Sequence, residues 1–222
     1  MNIRAFETYY WQSNMYLVTE AQHGIIVDPC EMPEAESILT SEGISLDYVI
    51  LTHEHCDHIT GVDWARAHGA KVICSAECGR KIQNPALNAA RYFNDATIVQ
   101  HTLRNSHSIP ENFSCHADIT FEGTSELIWC NHTLELVGTP GHTSGSICIT
   151  IDNEILFSGD TVLKDVPVNT RFPSGSRNNF LEITLPWLSN LKTDFTVFPG
   201  HWEKFMLKGR MQQNLVEEGD VE

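Results

Sequence analysis

The chain has 222 residues, of which 41% are hydrophobic and 19% charged, and we expect a single globular domain over residues 1–222. Its formal net charge of −15 would repel a phosphate polyanion, which predicts no nucleic-acid partner. No apolar run approaches the length of a membrane span, the first residues lack the pattern of a secretory signal, and seven scattered cysteines suggest no disulfide framework, so the sequence predicts a cytoplasmic protein with no membrane partner.

The first part of the chain predicts a hairpin followed by an alternation of strands and helices. Residues 14–20 and 24–28 are short apolar segments joined by a polar turn. Pro33 opens an amphipathic segment that Gly43 ends. The elements predicted next, up to residue 83, are a strand over 48–51, a histidine-rich loop, a helix over about 59–68 and a strand over 70–74.

Residues 84–116 interrupt this alternation, because their periodicity is weak and many of them are polar. We interpret them as a helical insertion with a loop, suited to act as a lid. Later strands are predicted near 118–121, 126–129, 133–137, 146–151, 154–157 and 195–198, and helices over 178–191 and about 204–215. Each half of the chain is thus predicted to begin with a hairpin and then to alternate strands and helices. Two such halves indicate two sheets packed face to face with helices outside.

The run from Thr52 to His58 carries three imidazoles and, as a candidate ligand, the carboxylate of Asp57, directly after a predicted strand. Neutral imidazole and carboxylate groups are donors that zinc and iron prefer. His53 and His55 are two residues apart, so on an extended segment they point to the same side. Asp57 and His58 must point elsewhere, and the loop is therefore predicted to serve two metal ions.

Three later segments each end a strand with a glycine turn and a ligand-type residue: Gly141-His142, Gly159-Asp160 and Gly200-His201. With the histidine loop they predict a complete two-metal site. Its candidate ligands are His53, His55, Asp57, His58, His142, Asp160 and His201.

This order and context of ligands resembles the metallo-β-lactamase superfamily, with the closer likeness to its glyoxalase II-like hydrolases. The resemblance covers nearly the whole chain, including Ile26-Val27-Asp28-Pro29 and Pro199-Gly200-His201. It implies an α/β (α+β) fold, a four-layer αββα sandwich with the site at one edge of the paired sheets. Asp28 either orients a ligand imidazole, as the family's carboxylate does, or is a plain turn residue.

The resemblance also implies the division of the ligands. One metal would take His53, His55 and His142, the other Asp57, His58 and His201, and Asp160 would bridge them. Two divalent ions, zinc first with iron or manganese as alternatives, can convert a shared water to a hydroxide nucleophile near neutral pH. Asp57 and Asp160 are then the catalytic carboxylates.

A thiolate leaves without protonation more readily than an amine, since a thiol pKa is about 8.5. The site is therefore expected to hydrolyse a small or carrier-bound acyl thioester, with Arg171 as a candidate for binding a substrate carboxylate. The residues after His201 do not reproduce the basic glutathione-binding motif of full glyoxalase II enzymes, which argues against glutathione specificity.

Other functions stay open at this point. A persulfide dioxygenase would hold one iron with His53, His142 and Asp160, and a β-lactamase-type enzyme would cleave an amide. A non-catalytic protein on the same scaffold is disfavoured by the full ligand set. Cys56, Cys74 and Cys78 are expected to be packing residues, and no feature predicts the oligomeric state. Surface or capping roles are expected for His23, His68, His101, His107, His116 and His132.

Overall fold

The computed structural model describes residues 1–94, 107–191 and 194–207, and its strands form two six-stranded sheets. The first sheet contains, in spatial order, β1 (Asn2–Glu7), β2 (Asn14–Glu20), β3 (His23–Val27), β4 (Ser45–Ile50), β5 (Lys71–Ser75) and β6 (Ile119–Phe121). The second contains β12 (Phe205–Met206), β11 (Thr196–Pro199), β10 (Ile155–Gly159), β9 (Ile147–Ile151), β8 (His132–Gly138) and β7 (Thr124–Trp129).

Short helices connect and cover these strands. They are α1 (Pro33–Glu42), a 3-10 turn (Cys56–His58), α2 (Val62–Ala67), α3 (Ala76–Lys81), α4 (Ala90–Phe93), α5 (Arg177–Asn179), a π-helical turn (Phe180–Thr184) and α6 (Leu185–Ser189). Gly43 ends α1 at φ 63°, a conformation that costs glycine little. No helix in the described part of the chain is long and apolar enough to cross a membrane.

The main core lies between the two sheets and follows from strand alternation. Along β2, Tyr16 and Val18 face the second sheet, while Met15 and Leu17 face the helices. Both sets are buried, which explains why β2 reads as a nearly continuous apolar run rather than an alternating one.

The helices form the two outer layers. Ala35, Leu39 and Val62 of α1 and α2 join the cluster on the outer face of the first sheet. On the second sheet, Leu156 and Val197 pack outward with Trp187 of α6. The expected sandwich of two sheets between helical layers is thus confirmed.

Phe157 sits at the centre of the core between the sheets, fully buried, with ring centroids 5.2 Å from Tyr16 and 5.3 Å from Phe198. We expect Phe157→Ala to lower the free energy of unfolding by about 3–5 kcal/mol, because it leaves a cavity between the sheets. Urea denaturation measures this change. The matched control is Ile128→Ala in the same sheet, where the side chain is 61% exposed and the loss should stay within about 0.5 kcal/mol.

One expectation needs correction, and one strand is missing from the sequence-based prediction. The helix predicted from about Lys204 is wrong at Phe205–Met206, which pair with β11 as an edge strand; residues 208–215 of that prediction lie outside the described residues. The first strand, Asn2–Glu7, was not anticipated, and it pairs along its whole length with β2.

Residues 84–116 contain the short helix α4, and residues 95–106 of this segment lie outside the described part. The described part packs Phe93 and Ile109 against Cys56 of the histidine loop. A lid role for this segment stays a prediction. All seven cysteines are free thiols, and six of them are buried.

Candidate metal centre

Four strands end at one place in the molecule, and each delivers candidate ligands. The histidine loop follows β4, and single side chains follow β8, β10 and β11. Because β3–β4 and β10–β11 are parallel pairs, their carboxyl ends meet at the same edge of each sheet. Tyr16 and Asn14 join the two edges, since the Tyr16 hydroxyl and the Asn14 amide both donate to the Pro199 carbonyl, at 2.6 and 3.0 Å.

The first group of ligand atoms is formed by three buried imidazoles. His55 Nδ1 lies 3.1 Å from His53 Nε2 and 3.1 Å from His142 Nε2. His53 and His55 thus face the same side, as the spacing of two residues predicted. The third member comes from a loop 87 residues further along the chain.

The second group is formed by Asp57, His58 and His201. Asp57 Oδ2 lies 3.4 Å from His58 Nε2 and 3.6 Å from His201 Nε2, and the two imidazole nitrogens are 3.4 Å apart. One short loop therefore contributes two residues to each group.

Asp160 lies between the two groups. Its Oδ2 atom is 3.5 Å from His142 Nε2 and 3.4 Å from His201 Nε2, and its Oδ1 atom is 3.6 Å from His58 Nε2. A side chain in this position contacts both groups at once. The arrangement gives the geometry that a bridging carboxylate needs.

The spacing of these atoms fits divalent metal ions. Nitrogen ligands at zinc distances of 2.0–2.1 Å in a tetrahedral arrangement lie about 3.3 Å from one another. The observed separations of 3.1 to 3.6 Å are close to that value. Asp160 Oδ1 is buried without a hydrogen-bond partner, a costly arrangement unless a cation compensates it. The donor set and this orphaned oxygen both fit metal ligation.

Hydrogen bonds behind the ligands fix their ring orientation. His58 Nδ1 lies 3.0 Å from Asp28 Oδ2, and His53 Nδ1 lies 3.0 Å from the Thr52 hydroxyl, which donates to the same carboxylate oxygen at 2.6 Å. The other oxygen of Asp28 accepts the Thr52 backbone N–H at 2.7 Å. One carboxylate thus orients an imidazole of each group, a common arrangement around metal-binding histidines.

Asp28 is also a turn residue, with φ at 53°. Asparagine tolerates this left-handed conformation, so Asp28→Asn should keep the backbone while removing the charge and one acceptor oxygen. We expect the affinity for zinc to fall about 10- to 100-fold, because the imidazoles lose their orienting partner. Competition with a chromophoric chelator measures this affinity.

Asp152→Asn is the matched control for that variant. Asp152 also has a left-handed φ, at 52°, and its carboxylate also binds a histidine Nδ1, that of His132, and a backbone N–H, that of Thr133. Asp152 lies outside both groups, so the Asp152→Asn variant should bind zinc with the affinity of the wild type. Equal affinities for wild type and Asp28→Asn would contradict the orienting role.

Backbone carbonyls orient two more ligands. His142 Nδ1 is 2.8 Å from the Asn169 carbonyl, and His201 Nδ1 is 3.2 Å from the Trp11 carbonyl. In each case Nδ1 carries the proton that donates to the carbonyl, which leaves Nε2 with its lone pair toward the group. Sequence reasoning missed both residues, because a backbone carbonyl carries no side-chain signal.

The electrostatics of the first group favour neutral ligands. Burial, with the nearby imidazoles of His58 and His55, holds the pKa of His53 well below its usual value. Burial and His142 hold the pKa of His55 well below it in the same way. Both imidazoles therefore keep free lone pairs at neutral pH.

In the second group and at Asp160, the pKa values are set by the interactions between carboxylates and imidazoles as well as by burial. Burial raises the pKa of Asp57 and opposes ionisation of Asp160, but His201 and His58 outweigh burial at Asp160 and hold its pKa well below the usual range. At His58, Asp57 and Asp160 overcome the effect of burial and raise the pKa to about 10. The centre therefore attracts positive charge, which a divalent ion can supply in place of protons.

Two glycines allow the close approach of the strand ends. Gly159 has φ at 49°, and a Cβ there would collide with the Thr52 side chain. A Cβ at Gly200 would overlap the Asp160 carboxylate. Two of the three glycine turns noted in the sequence are thus required by packing around the ligands.

The other predicted residues lie around or away from this centre. Arg171 is exposed and next to Phe172, whose ring centroid lies 5.0 Å from that of His55 and 5.4 Å from that of His142. Its substrate role stays a prediction. Cys56 packs in an apolar cluster and Cys74 and Cys78 in the core, as predicted.

Among the described residues, the remaining histidines do not join either group of ligand atoms. His101 lies outside the described residues, and the His107 ring packs at a tilt against Tyr9, with ring centroids 4.4 Å apart. The others bind surface partners, which agrees with the roles expected of them: His23 with Asp47, His68 with Glu36, His116 with Arg66 and His132 with Asp152.

Comparison with known proteins shows which family the sequence matches. The family model described as the metallo-beta-lactamase superfamily matches residues 8–215. A hydroxyacylglutathione hydrolase of Hamiltonella defensa is 29% identical over 163 residues, which are 73% of this chain and 51% of that protein. The chain spans about half the length of this relative.

Two further similarities extend over more of the chain. The human mitochondrial persulfide dioxygenase ETHE1 is 22% identical over 186 residues, 82% of this chain and 60% of that protein. The crystal structure of the BLEG-1 B3 metallo-beta-lactamase superimposes with a TM-score of 0.78 at 24% identity, covering 96% of this chain and 98% of that one. At this identity the structural likeness establishes the fold.

Proposed function

The chain belongs to the metallo-beta-lactamase superfamily, and we propose that it is a hydrolase that needs two divalent metal ions and cleaves a small or carrier-bound acyl thioester. The observation that carries this proposal is the pair of three-residue groups with Asp160 in contact with both. A single structural ion would not need the second group.

In this proposal each group holds one ion, and Asp160 is shared. His53, His55 and His142 form one set, and Asp57, His58 and His201 form the other. When bound, the two ions supply an acidified water near neutral pH and an electrophile for the carbonyl oxygen of the substrate. Asp57 and Asp160, which lie among the histidine nitrogens of the two groups, are the proposed catalytic carboxylates. Zinc is our first choice of metal, with iron or manganese as alternatives.

The class of substrate is argued from the leaving group. A thiol has a pKa of about 8.5, so a thiolate can leave without a dedicated proton donor, whereas an amine cannot. The similarity to a hydroxyacylglutathione hydrolase supports this choice. Arg171, beside Phe172 at the first group, is the proposed contact for a carboxylate on the substrate.

The test is a screen of the zinc-loaded protein against acyl thioesters of glutathione, coenzyme A and pantetheine. Release of free thiol, followed with a disulfide dye, is the expected result, and nitrocefin serves as the amide comparison. A metal-loaded protein that releases thiol from none of the thioesters, or that opens nitrocefin instead, contradicts the thioester assignment.

A second candidate is a persulfide dioxygenase with one iron. Its support is the similarity to the human persulfide dioxygenase and the proximity of His142 to Asp160. With His53 these residues would hold that iron. Oxygen uptake on glutathione persulfide by a protein that contains a single iron, without thioester cleavage, favours this candidate.

A further inference from the structure

A buried ion pair lies directly behind the first group of imidazoles. Glu54, between the ligands His53 and His55, is fully buried, and Lys81 is 2% exposed. Lys81 Nζ lies 2.8 Å from Glu54 Oε1. Charged residues are rarely buried this completely, because each loses its hydration.

The Glu54 carboxylate also binds two other segments near the site. Its Oε2 atom accepts the Thr143 hydroxyl at 2.8 Å, and its Oε1 atom accepts the Ser174 hydroxyl at 3.2 Å. Lys81 donates in addition to the Ser144 hydroxyl. The pair is thus surrounded by hydrogen bonds to the loop that follows β8 and to residues 169–174.

Two of these contacts lie close to residues of the first group. Thr143 is the neighbour of His142 in the chain, and Ser174 is two residues from Phe172, whose ring packs on His55 and His142. The carboxylate of Glu54 therefore connects the loop of His53 and His55 with the loop of His142.

Apart from Asp28, which reaches an imidazole of each group, the second group is supported by different contacts. The Ser13 hydroxyl donates to the Asp57 carbonyl at 3.0 Å, and the Trp11 carbonyl binds His201. Neither contact involves Glu54 or Lys81. A change in the ion pair should therefore act on one group and spare the other.

We propose that Glu54, held by Lys81, is a positioning residue that sets the separation of His142 from His53 and His55, and so the metal affinity of the first group. The inference rests on the proposed function only in that the group binds a metal. A buried ion pair often adds little to stability compared with apolar residues of similar size, so the presence of this pair beside the ligands, hydrogen-bonded to both ligand loops, points to positioning.

The experiment compares the double variant Glu54→Leu/Lys81→Met with the wild type. Removing both charges together avoids leaving one of them buried alone, so the thermal midpoint of the metal-free protein should stay close to that of the wild type. Cobalt(II) affinity and the cobalt absorption spectrum are measured in a His201→Ala background, which leaves the first group with its three imidazoles. We expect affinity to fall at least about 10-fold and the spectrum to change.

Two controls separate positioning from general damage. In a His142→Ala background, which leaves Asp57, His58 and His201, the double variant should bind cobalt as its parent does. The surface pair Arg4–Glu42, in which Arg4 Nη2 donates to both carboxylate oxygens, supplies the matched control Arg4→Met/Glu42→Leu, which should alter neither cobalt affinity nor the spectrum.

Thr143 supplies a milder test that does not depend on folding of the double variant. Thr143→Val removes the hydroxyl that binds Glu54 and should weaken cobalt binding in the His201→Ala background. Thr143→Ser keeps that hydroxyl and should bind cobalt as the His201→Ala parent does. If Thr143→Val and the double variant both show the cobalt affinity and spectrum of the His201→Ala parent, the positioning role of Glu54 is refuted, while the proposed function is not. A wild-type protein that takes up no cobalt contradicts the proposed function as well.

Discussion

Asp160→Ala is expected to remove at least one metal ion per chain and to lower kcat/KM about 1000-fold or more. Asp160 is the residue in contact with His58, His142 and His201, so its loss leaves both groups with one anionic ligand fewer. The activity loss corresponds to about 4 kcal/mol of transition-state stabilisation, in the range supplied by a bound metal. Elemental analysis and steady-state kinetics on one preparation measure both effects.

His132→Ala is the control for this variant. His132 binds Asp152 at the protein surface, outside both groups, and its removal should change neither metal content nor turnover. Asp160→Ala with both metals and normal turnover would refute the bridging role. A loss of metal in both variants would indicate damage to the fold.

His201→Ala is expected to remove one metal ion and to lower thioester hydrolysis about 100-fold or more. His201 is 13% exposed at its side chain and lies in the second group, 3.6 Å from Asp57 and 3.4 Å from His58. Alanine leaves that ion with Asp57, His58 and the shared Asp160, so the ion should be held much more weakly and the electrophile it supplies is lost. The first group keeps its three imidazoles.

This variant separates the two candidate functions, because a mononuclear iron enzyme would use His53, His142 and Asp160 and leave His201 outside its ligand set. A His201→Ala protein with unchanged metal content and unchanged activity supports the persulfide dioxygenase. His23→Ala is the control, since His23 binds Asp47 at the amino-terminal ends of β3 and β4, away from the centre. It should behave as the wild type does.

The candidate centre was largely predictable because its side chains follow a local rule. Each of the segments before His53, His142, Asp160 and His201 is apolar and ends at a glycine or a polar residue, so the sequence alone marks where a strand stops. The spacing of His53 and His55 then predicted their common direction. The assignment of each residue to a metal came from family resemblance and remains a proposal.

Contacts that depend on tertiary packing could not be predicted in this way. The carbonyls of Trp11 and Asn169 orient His201 and His142, yet neither residue type suggests such a role. The ion pair of Glu54 and Lys81 joins residues 27 positions apart, and nothing in either segment indicates its partner. Asp28 proved to be both of its predicted alternatives, a turn residue and a partner of His58.

The two edge strands were not predicted, because their structure also depends on pairing with a neighbouring strand. Asn2–Glu7 is partly exposed and lacks a strong apolar pattern, so pairing with β2 decides its structure. Phe205–Met206 is only two residues long, and the periodicity of the following residues favoured a helix instead.

The most direct measurement of the two-metal claim is elemental analysis of the protein as isolated, repeated after chelation and after return of zinc. The account predicts close to two ions per chain, loss of thioester hydrolysis when they are removed, and recovery of activity that requires both. A fully active protein that holds a single ion, or none, would contradict it.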